Sequence, residues 1–135
     1  MFVAKNQVRM HDTDMAGRLY FARQFRFAHD ALEDFMAAEN FAFDYMFHES
    51  NYAFVIVHCE ADYYAHLKVG DKLSIHVTVE HIGDSSFIMH YQIYRDDDVL
   101  VGKVKLVHVA IDTRSGQKIS IPDDLRQKLA KHLAS

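Results

Sequence analysis

Hydrophobic positions divide the chain into two regimes. In the first third, Phe21, Phe25, Ala28, Leu32, Phe35 and Met36 recur at helical spacing and predict one helix from about Tyr20 to Glu39, its apolar stripe widened by Phe27 and Ala31. A helix apolar on several sides has to be wrapped, and the expected wrapper is a sheet. Beyond Tyr52 the period drops to two. Leu73, Ile75, Val77 and Val79 alternate with Lys72, Ser74, His76, Thr78 and Glu80, the mark of a strand with one buried face. Ile82-Gly83-Asp84-Ser85 predicts a turn into a strand from Phe87 to Arg95, and Arg95-Asp96-Asp97-Asp98 a second turn into a strand from Val99 to Asp112. Strands joined so tightly are antiparallel. Tyr52 to Tyr64 predicts an earlier strand, followed by a loop from Ala65 to Gly70, and Phe2 to Met10 predicts a leading one. Pro122, then Asp123 and Asp124, then Lys128, Lys131 and His132, predict a C-terminal helix with charges matched to its dipole. Asn40 to Asn51 reads equally as loop or short helix, and its Phe41, Phe43, Tyr45, Met46 and Phe47 are candidates to line a pocket.

This order of elements is α+β, and its natural solution is a sheet curled around the long helix. With 135 residues, half of them apolar, the chain suits a single domain, residues 1–135, with a real core. Open sheet edges then favour a homodimer or homotetramer. Net charge is −4 and no Lys/Arg block occurs, so the electrostatic footprint of a nucleic-acid binder is missing. Neither a membrane-length apolar run nor a signal peptide is present, which makes the cytoplasm the expected location and a membrane partner unexpected. The single cysteine, Cys59, forms no internal disulfide and, lying in an apolar strand, is expected to be packed rather than nucleophilic.

Chemistry is expected in His11-Asp12-Thr13-Asp14-Met15-Ala16-Gly17-Arg18-Leu19-Tyr20-Phe21, a tight connection ahead of the long helix. A carboxylate there meets free N–H groups and the positive end of the helix dipole, which stabilise developing negative charge. One acid with an anion hole makes a hydrolase site. Aspartates before helices also serve as caps, and Asp12 is assigned to that structural role. Gly17 either adopts a backbone conformation closed to other residues or admits close approach of a ligand. Ten histidines invite a metal reading, yet no spaced His or Cys pair completes a ligand set, so no metal and no cofactor is expected. His76, His81, His90 and His108 fall in or at the ends of strands and are expected to be solvated or satisfied. No Gly-x-Ser-x-Gly elbow and no nucleotide-binding glycine loop is present.

Asp12-Thr13-Asp14-Met15-Ala16-Gly17 with Tyr20, together with Ile56-Val57-His58-Cys59-Glu60-Ala61-Asp62-Tyr63, Val69-Gly70-Asp71-Lys72-Leu73 and Ile82-Gly83-Asp84-Ser85-Ser86-Phe87, carries a resemblance spanning nearly the whole chain. It resembles the hot-dog fold acyl-CoA thioesterases of the 4-hydroxybenzoyl-CoA thioesterase type, including Tol-Pal-associated members and 1,4-dihydroxy-2-naphthoyl-CoA thioesterases. The resemblance implies a long central helix wrapped by a curved antiparallel sheet and an acyl-CoA substrate. It implies Asp14 as the catalytic carboxylate, nucleophile or general base, and a backbone N–H at Phe21 or Tyr20 as oxyanion donor. Gly17, Tyr20 and Phe21 would shape loop and pocket wall, and Ser85 and Ser86 would border the pantetheine arm of coenzyme A. His58 is a further substrate-binding candidate. Some relatives carry His or Tyr where Phe21 stands, which removes a side-chain hydrogen bond but not the backbone donor; many carry proline where His66 stands.

Chemically the assignment is coherent. A thioester carbonyl is already electrophilic and its thiol, with a pKa near ~8.5, leaves readily, so a carboxylate and oxyanion donors suffice. The aromatic run favours an aryl acyl group. Arg18, Arg23, Lys103, Lys105 and Arg114 are the candidate phosphate partners. Two alternatives stay open: a hot-dog hydratase or dehydratase using His29 or His58 with Glu33, and a non-catalytic acyl-CoA binding protein.

Overall fold

The alternation seen in the sequence becomes the inner face of one antiparallel sheet. The structure, a computed structural model, describes residues 1–41 and 51–134. The strands are β1 (Phe2–Gln7), β2 (Tyr52–Tyr63), β3 (Lys72–Ile82), β4 (Ser86–Arg95) and β5 (Leu100–Asp112), in the order β1-β3-β4-β5-β2. Leu73, Ile75, Val77 and Val79 of β3, Phe87, Met89, Tyr91 and Ile93 of β4, and Val104, Leu106 and Ala110 of β5 are buried on one side. Against them lies α1 (Gln24–Ala38), burying Phe27, Ala28, Ala31, Leu32, Phe35 and Met36. This is the α+β hot-dog arrangement expected. A shorter α2 (Asp123–Ala130) adds Leu125 and Leu129 to the core.

Three boundaries differ from expectation, each for a local reason. α1 starts at Gln24 rather than near Tyr20, because residues Phe21–Arg23 form a tighter 3₁₀ turn in which the Arg23 N–H donates to the Tyr20 carbonyl at 2.8 Å. Phe21 therefore leaves the core stripe. β1 stops at Gln7, and Met10–Asp12 forms another 3₁₀ turn. Lys131 and His132 fall just past α2, where they bind the Glu39 carboxylate beyond the end of α1 at 3.0 and 2.7 Å. Of the aromatic run, Phe41 is core, and Phe43, Tyr45, Met46 and Phe47 lie outside the described residues.

β2 is an edge strand, hydrogen-bonded to β5 alone among the described residues, and most of it is exposed. Cys59, expected to be packed, is exposed for this reason. The β2 register shifts between Ile56 and His58, leaving Val57 as the extra residue of a bulge. Before the bulge Phe54 and Ile56 stand opposite inward Ala110 and His108; after it Cys59, Ala61 and Tyr63 stand opposite inward Leu106, Val104 and Gly102.

The start of α1 is pinned to the far end of this strand pair. Gln24 is buried, and its amide donates to the carbonyls of Asp62 at 2.9 Å and Lys103 at 3.3 Å. Such close approach needs a bare backbone at Gly102, where an added Cβ would lie 2.6 Å from the Gln24 amide and 2.7 Å from the Asp62 carbonyl oxygen. Gly102→Ala is accordingly expected to destabilise the fold by about 1–3 kcal/mol through overpacking, measured as a lower urea midpoint at unchanged m-value.

Candidate active site

The two aspartates of the leading loop have opposite surroundings. Asp12 is fully buried and takes a bidentate pair of hydrogen bonds from Arg26, Nε to Oδ1 at 2.7 Å and a terminal nitrogen to Oδ2 at 2.6 Å, plus one from the Arg9 N–H at 2.8 Å. Burial pushes its pKa up, but the Arg26 and Arg9 hydrogen bonds prevail and hold it below the ordinary carboxylate value. Asp12 is thus structural: through the Arg9 N–H it caps the Met10–Asp12 turn, and through Arg26 it anchors the loop to α1.

Asp14 is exposed. Residues 13–19 form a small hairpin in which Thr13 bridges Leu19 and the Asp14 N–H donates to the Arg18 carbonyl at 2.9 Å. Asp14 Oδ1 accepts from the Ala16 N–H at 2.8 Å and, more weakly, from the Arg18 N–H at 3.4 Å; Oδ2 has no partner among the described residues. The turn requires Gly17 at φ +75°, where a Cβ would meet nothing within 4 Å, so backbone conformation and not crowding selects the glycine. The returning arm places the Tyr20 N–H on the Asp12 carbonyl at 2.8 Å. Tyr20 is therefore spent as a donor. The Phe21 N–H donates to nothing among the described residues, and the Phe21 carbonyl accepts from the Tyr63 hydroxyl at 2.6 Å. Tyr20 and Phe21 are 47% and 63% exposed, with ring centroids 5.0 Å apart.

The other expected site residues do not gather here within one protomer. Ser86 pairs with Val109, whereas the loop is tied in near Gly102; seven residues of β5 put about 23 Å between them. The Ser85–Ser86 turn is itself clamped, with Arg126 donating to the Gly83 and Asp84 carbonyls at 2.8 and 3.1 Å and Ser120 donating to the Asp84 carboxylate at 3.0 Å. His58 lies on the outer face of β2, its Nε2 3.1 Å from Glu60 Oε1.

Two adjoining clefts of about 400 and 430 Å³ run between α1 and the overhanging inner face of β2. Phe25, His29 and Glu33, spaced by four on one helix stripe, form one side; Phe54, Ile56 and Cys59 with Leu106 and His108 form the other. His29 and Glu33 thus share a cleft, and His58 is apart from both. Cys59 and Phe25, one expected to be packed and the other in the core stripe, are cleft residues. Asp14 lies outside both clefts.

His108 departs furthest from expectation. It is 1% exposed, stacked on Phe87 with ring centroids 4.9 Å apart, and neither ring nitrogen has a hydrogen-bond partner among the described residues. The sequence signal was its place in the inward set Val104, Leu106, His108 and Ala110. Burial, with a smaller contribution from the charge of His29, pushes its pKa down to about 4. Between pH 6.5 and 4 the unfolded chain therefore binds a proton at this site that the folded chain refuses, so stability falls as pH falls through that window. His108→Leu is expected to remove about 3 kcal/mol of that acid sensitivity, read from urea unfolding at pH 4.5 and 7.5.

Comparison with known proteins bears directly on this architecture. The model of the Thioesterase-like superfamily matches residues 8–129. The 1,4-dihydroxy-2-naphthoyl-CoA hydrolase of Nostoc punctiforme is 35% identical over 95% of this chain and 86% of its own, and that of a Synechococcus strain 36% identical over 86% and 80%. The crystal structure of a 1,4-dihydroxy-2-naphthoyl-CoA thioesterase from Synechocystis superposes with a TM-score of 0.90 at 25% identity, covering 96% of this chain and 95% of that one. With its five-stranded sheet closed on one long helix and this match over most of its length, the chain belongs to the Thioesterase-like superfamily and is a hot-dog thioester hydrolase.

Proposed function

We propose that the protein hydrolyses an aryl acyl-CoA, with 1,4-dihydroxy-2-naphthoyl-CoA the first candidate in view of its relatives, and that Asp14 is the catalytic carboxylate. The observation carrying this reading is the half-satisfied state of Asp14: Oδ1 is held in a turn, Oδ2 is open, and the same hairpin leads to an undonated Phe21 N–H. In the nucleophilic form, Oδ2 attacks the thioester carbon, the Phe21 N–H stabilises the oxyanion, the C–S bond breaks, and the thiolate leaves to take a proton from water. Water then cleaves the anhydride, releasing the acid and restoring Asp14. In the general-base form, Asp14 takes the proton of an attacking water and the same bond breaks. No metal or cofactor enters either route.

The site is completed by a second protomer in this reading. β2 presents an open edge twelve residues long with Val55, Ile56 and Val57 exposed, the last by 58%. A two-fold pairing of identical edges is antiparallel, which sets the Tyr63 end of one strand against the Tyr52 end of the other. The Asp14 loop of one protomer then approaches the Ser85–Ser86 end of its partner, where those hydroxyls border the pantetheine arm. Sedimentation is expected to give at least twice the 15.7 kDa protomer mass. Among the described residues no helix is long and apolar enough to cross a membrane; the cytoplasm is the location proposed.

The test is thiol release from an acyl-CoA panel. Wild type is expected to release thiol, and Asp14→Asn to lose at least ~100-fold in kcat with an unchanged unfolding midpoint. Retained activity in the variant would overturn the role of Asp14. Water addition to an enoyl-CoA without thiol release would favour the hydratase reading, and single-turnover hydrolysis in ¹⁸O-water distinguishes the two routes, since only the anhydride can leave label in Asp14.

A further inference from the structure

Around the Phe21 N–H the neighbouring backbone groups are all engaged. The Tyr20 N–H is on the Asp12 carbonyl and the Tyr20 carbonyl accepts from the Arg23 N–H, each at 2.8 Å. The Phe21 carbonyl accepts from the Gln24 N–H at the start of α1 and from the Tyr63 hydroxyl at 2.6 Å. The first three of these bonds lie within the loop and the helix start, and would let the turn tilt as a unit. The fourth reaches another element, since Tyr63 is the last residue of β2. β2 also supplies Ile56 and Cys59 to the cleft wall facing Phe25 and His29 of α1. Tyr63 thus links the turn to the strand that faces it across the cleft.

Stability alone does not account for the hydroxyl. Tyr63 is exposed, a phenylalanine would cover the same apolar surface, and without the hydroxyl the Phe21 carbonyl would still hold its bond from the Gln24 N–H. A hydrogen bond whose loss strands no buried group contributes little to folding. Gln24, whose buried amide donates to the Asp62 carbonyl at 2.9 Å, already fixes where α1 meets β2. Tyr63 acts three residues earlier in the turn, on Phe21. Burial holds its pKa above the ordinary tyrosine value, so it stays a donor at neutral pH.

We propose that Tyr63 is a positioning residue for thioester hydrolysis: its hydroxyl holds Phe21 against β2 and so keeps the Phe21 N–H aimed at the thioester oxygen. The proposal rests on the reading of that N–H as the oxyanion donor. Tyr63 acts through Phe21 and exchanges no proton with the reacting atoms. An oxyanion donor is effective only at about 2.7–3.1 Å, and a misplacement of about 1 Å costs about 10²-fold, so loss of one restraint among four is expected to cost about 10-fold in kcat.

Thiol release from 1,4-dihydroxy-2-naphthoyl-CoA is compared in wild type, Tyr63→Phe and the neighbouring control Tyr64→Phe. Tyr63→Phe is expected to lose about 10-fold in kcat with KM and urea midpoint little changed, and Tyr64→Phe to match wild type. An unchanged kcat, an equal loss in Tyr64→Phe, or a loss accompanied by a higher KM and a lower midpoint overturns the proposal. A second arm reads the donor directly. 2-Naphthoyl-CoA carrying ¹³C at its carbonyl is bound to Asp14→Asn, with and without Tyr63→Phe, and its carbonyl stretch is recorded by infrared difference spectroscopy. The band is expected below that of the free ester in Asp14→Asn and to move back toward it when the Tyr63 hydroxyl is removed. Equal displacement in both overturns the role of Tyr63 and leaves the donor reading intact. A band at the free-ester frequency with Tyr63 in place overturns the donor reading and the proposal with it. If Asp14→Asn still cleaves the ester, the role of Asp14 falls, and the kcat comparison decides on Tyr63 by itself.

Discussion

Arg26 holds four acceptors at once: both oxygens of the buried Asp12 carboxylate, the Asp30 carboxylate at 2.8 Å and the Gln7 carbonyl at 3.2 Å. Asn6 of β1 donates to the same Asp30 oxygen at 2.9 Å. First strand, loop and long helix are thereby tied in one knot, and the Asp12 carbonyl, through the Tyr20 N–H, sets where the hairpin returns. A buried carboxylate stripped of its arginine is an uncompensated charge, a loss of about 3–5 kcal/mol, so the knot is stable only when complete. The position of Asp14 is a consequence of this pair two residues earlier.

Asp12 and Asp14 show how burial alone divides identical side chains. One has both oxygens bonded to protein donors and is fully buried. The other is fixed through a single oxygen, and its second oxygen has no donor among the described residues. The residue proposed as oxyanion donor is steadied separately, by the Tyr63 hydroxyl on the Phe21 carbonyl of the peptide that follows its N–H.

Period-two alternation in residues 72–112 made three strands and their order legible, because each hides one face and turns within a few residues. The helix was legible in existence but not in its first turn, since Phe21 and Phe25 continue one apolar stripe while Phe21–Arg23 winds as a 3₁₀ turn and α1 begins at Gln24, whose amide reaches the distant Asp62 and Lys103 carbonyls. β2 was legible as a strand and not as an edge, so the exposure of Cys59 escaped prediction. Asp14 and Gly17 were recognisable as candidates from the loop motif, and the structure places Gly17 at the positive φ its turn requires. His108 was not, although its place in an inward row was written in the sequence; a polar residue on a buried row reads as ordinary until its partners can be counted.

One extra residue in β2 has an effect out of proportion to its size. Because Val57 adds to the strand without adding to its partner, even-numbered residues look toward the helix on one side of it and odd-numbered residues on the other. Without the bulge to absorb it, that residue would turn the second half of the strand over, carrying Glu60 and Asp62 inward and taking the Tyr63 phenol away from the residue it supports. The bulge thus uncouples chain length from side-chain facing: loss of Val57 together with the bulge would leave Cys59, Ala61 and Tyr63 turned toward the helix.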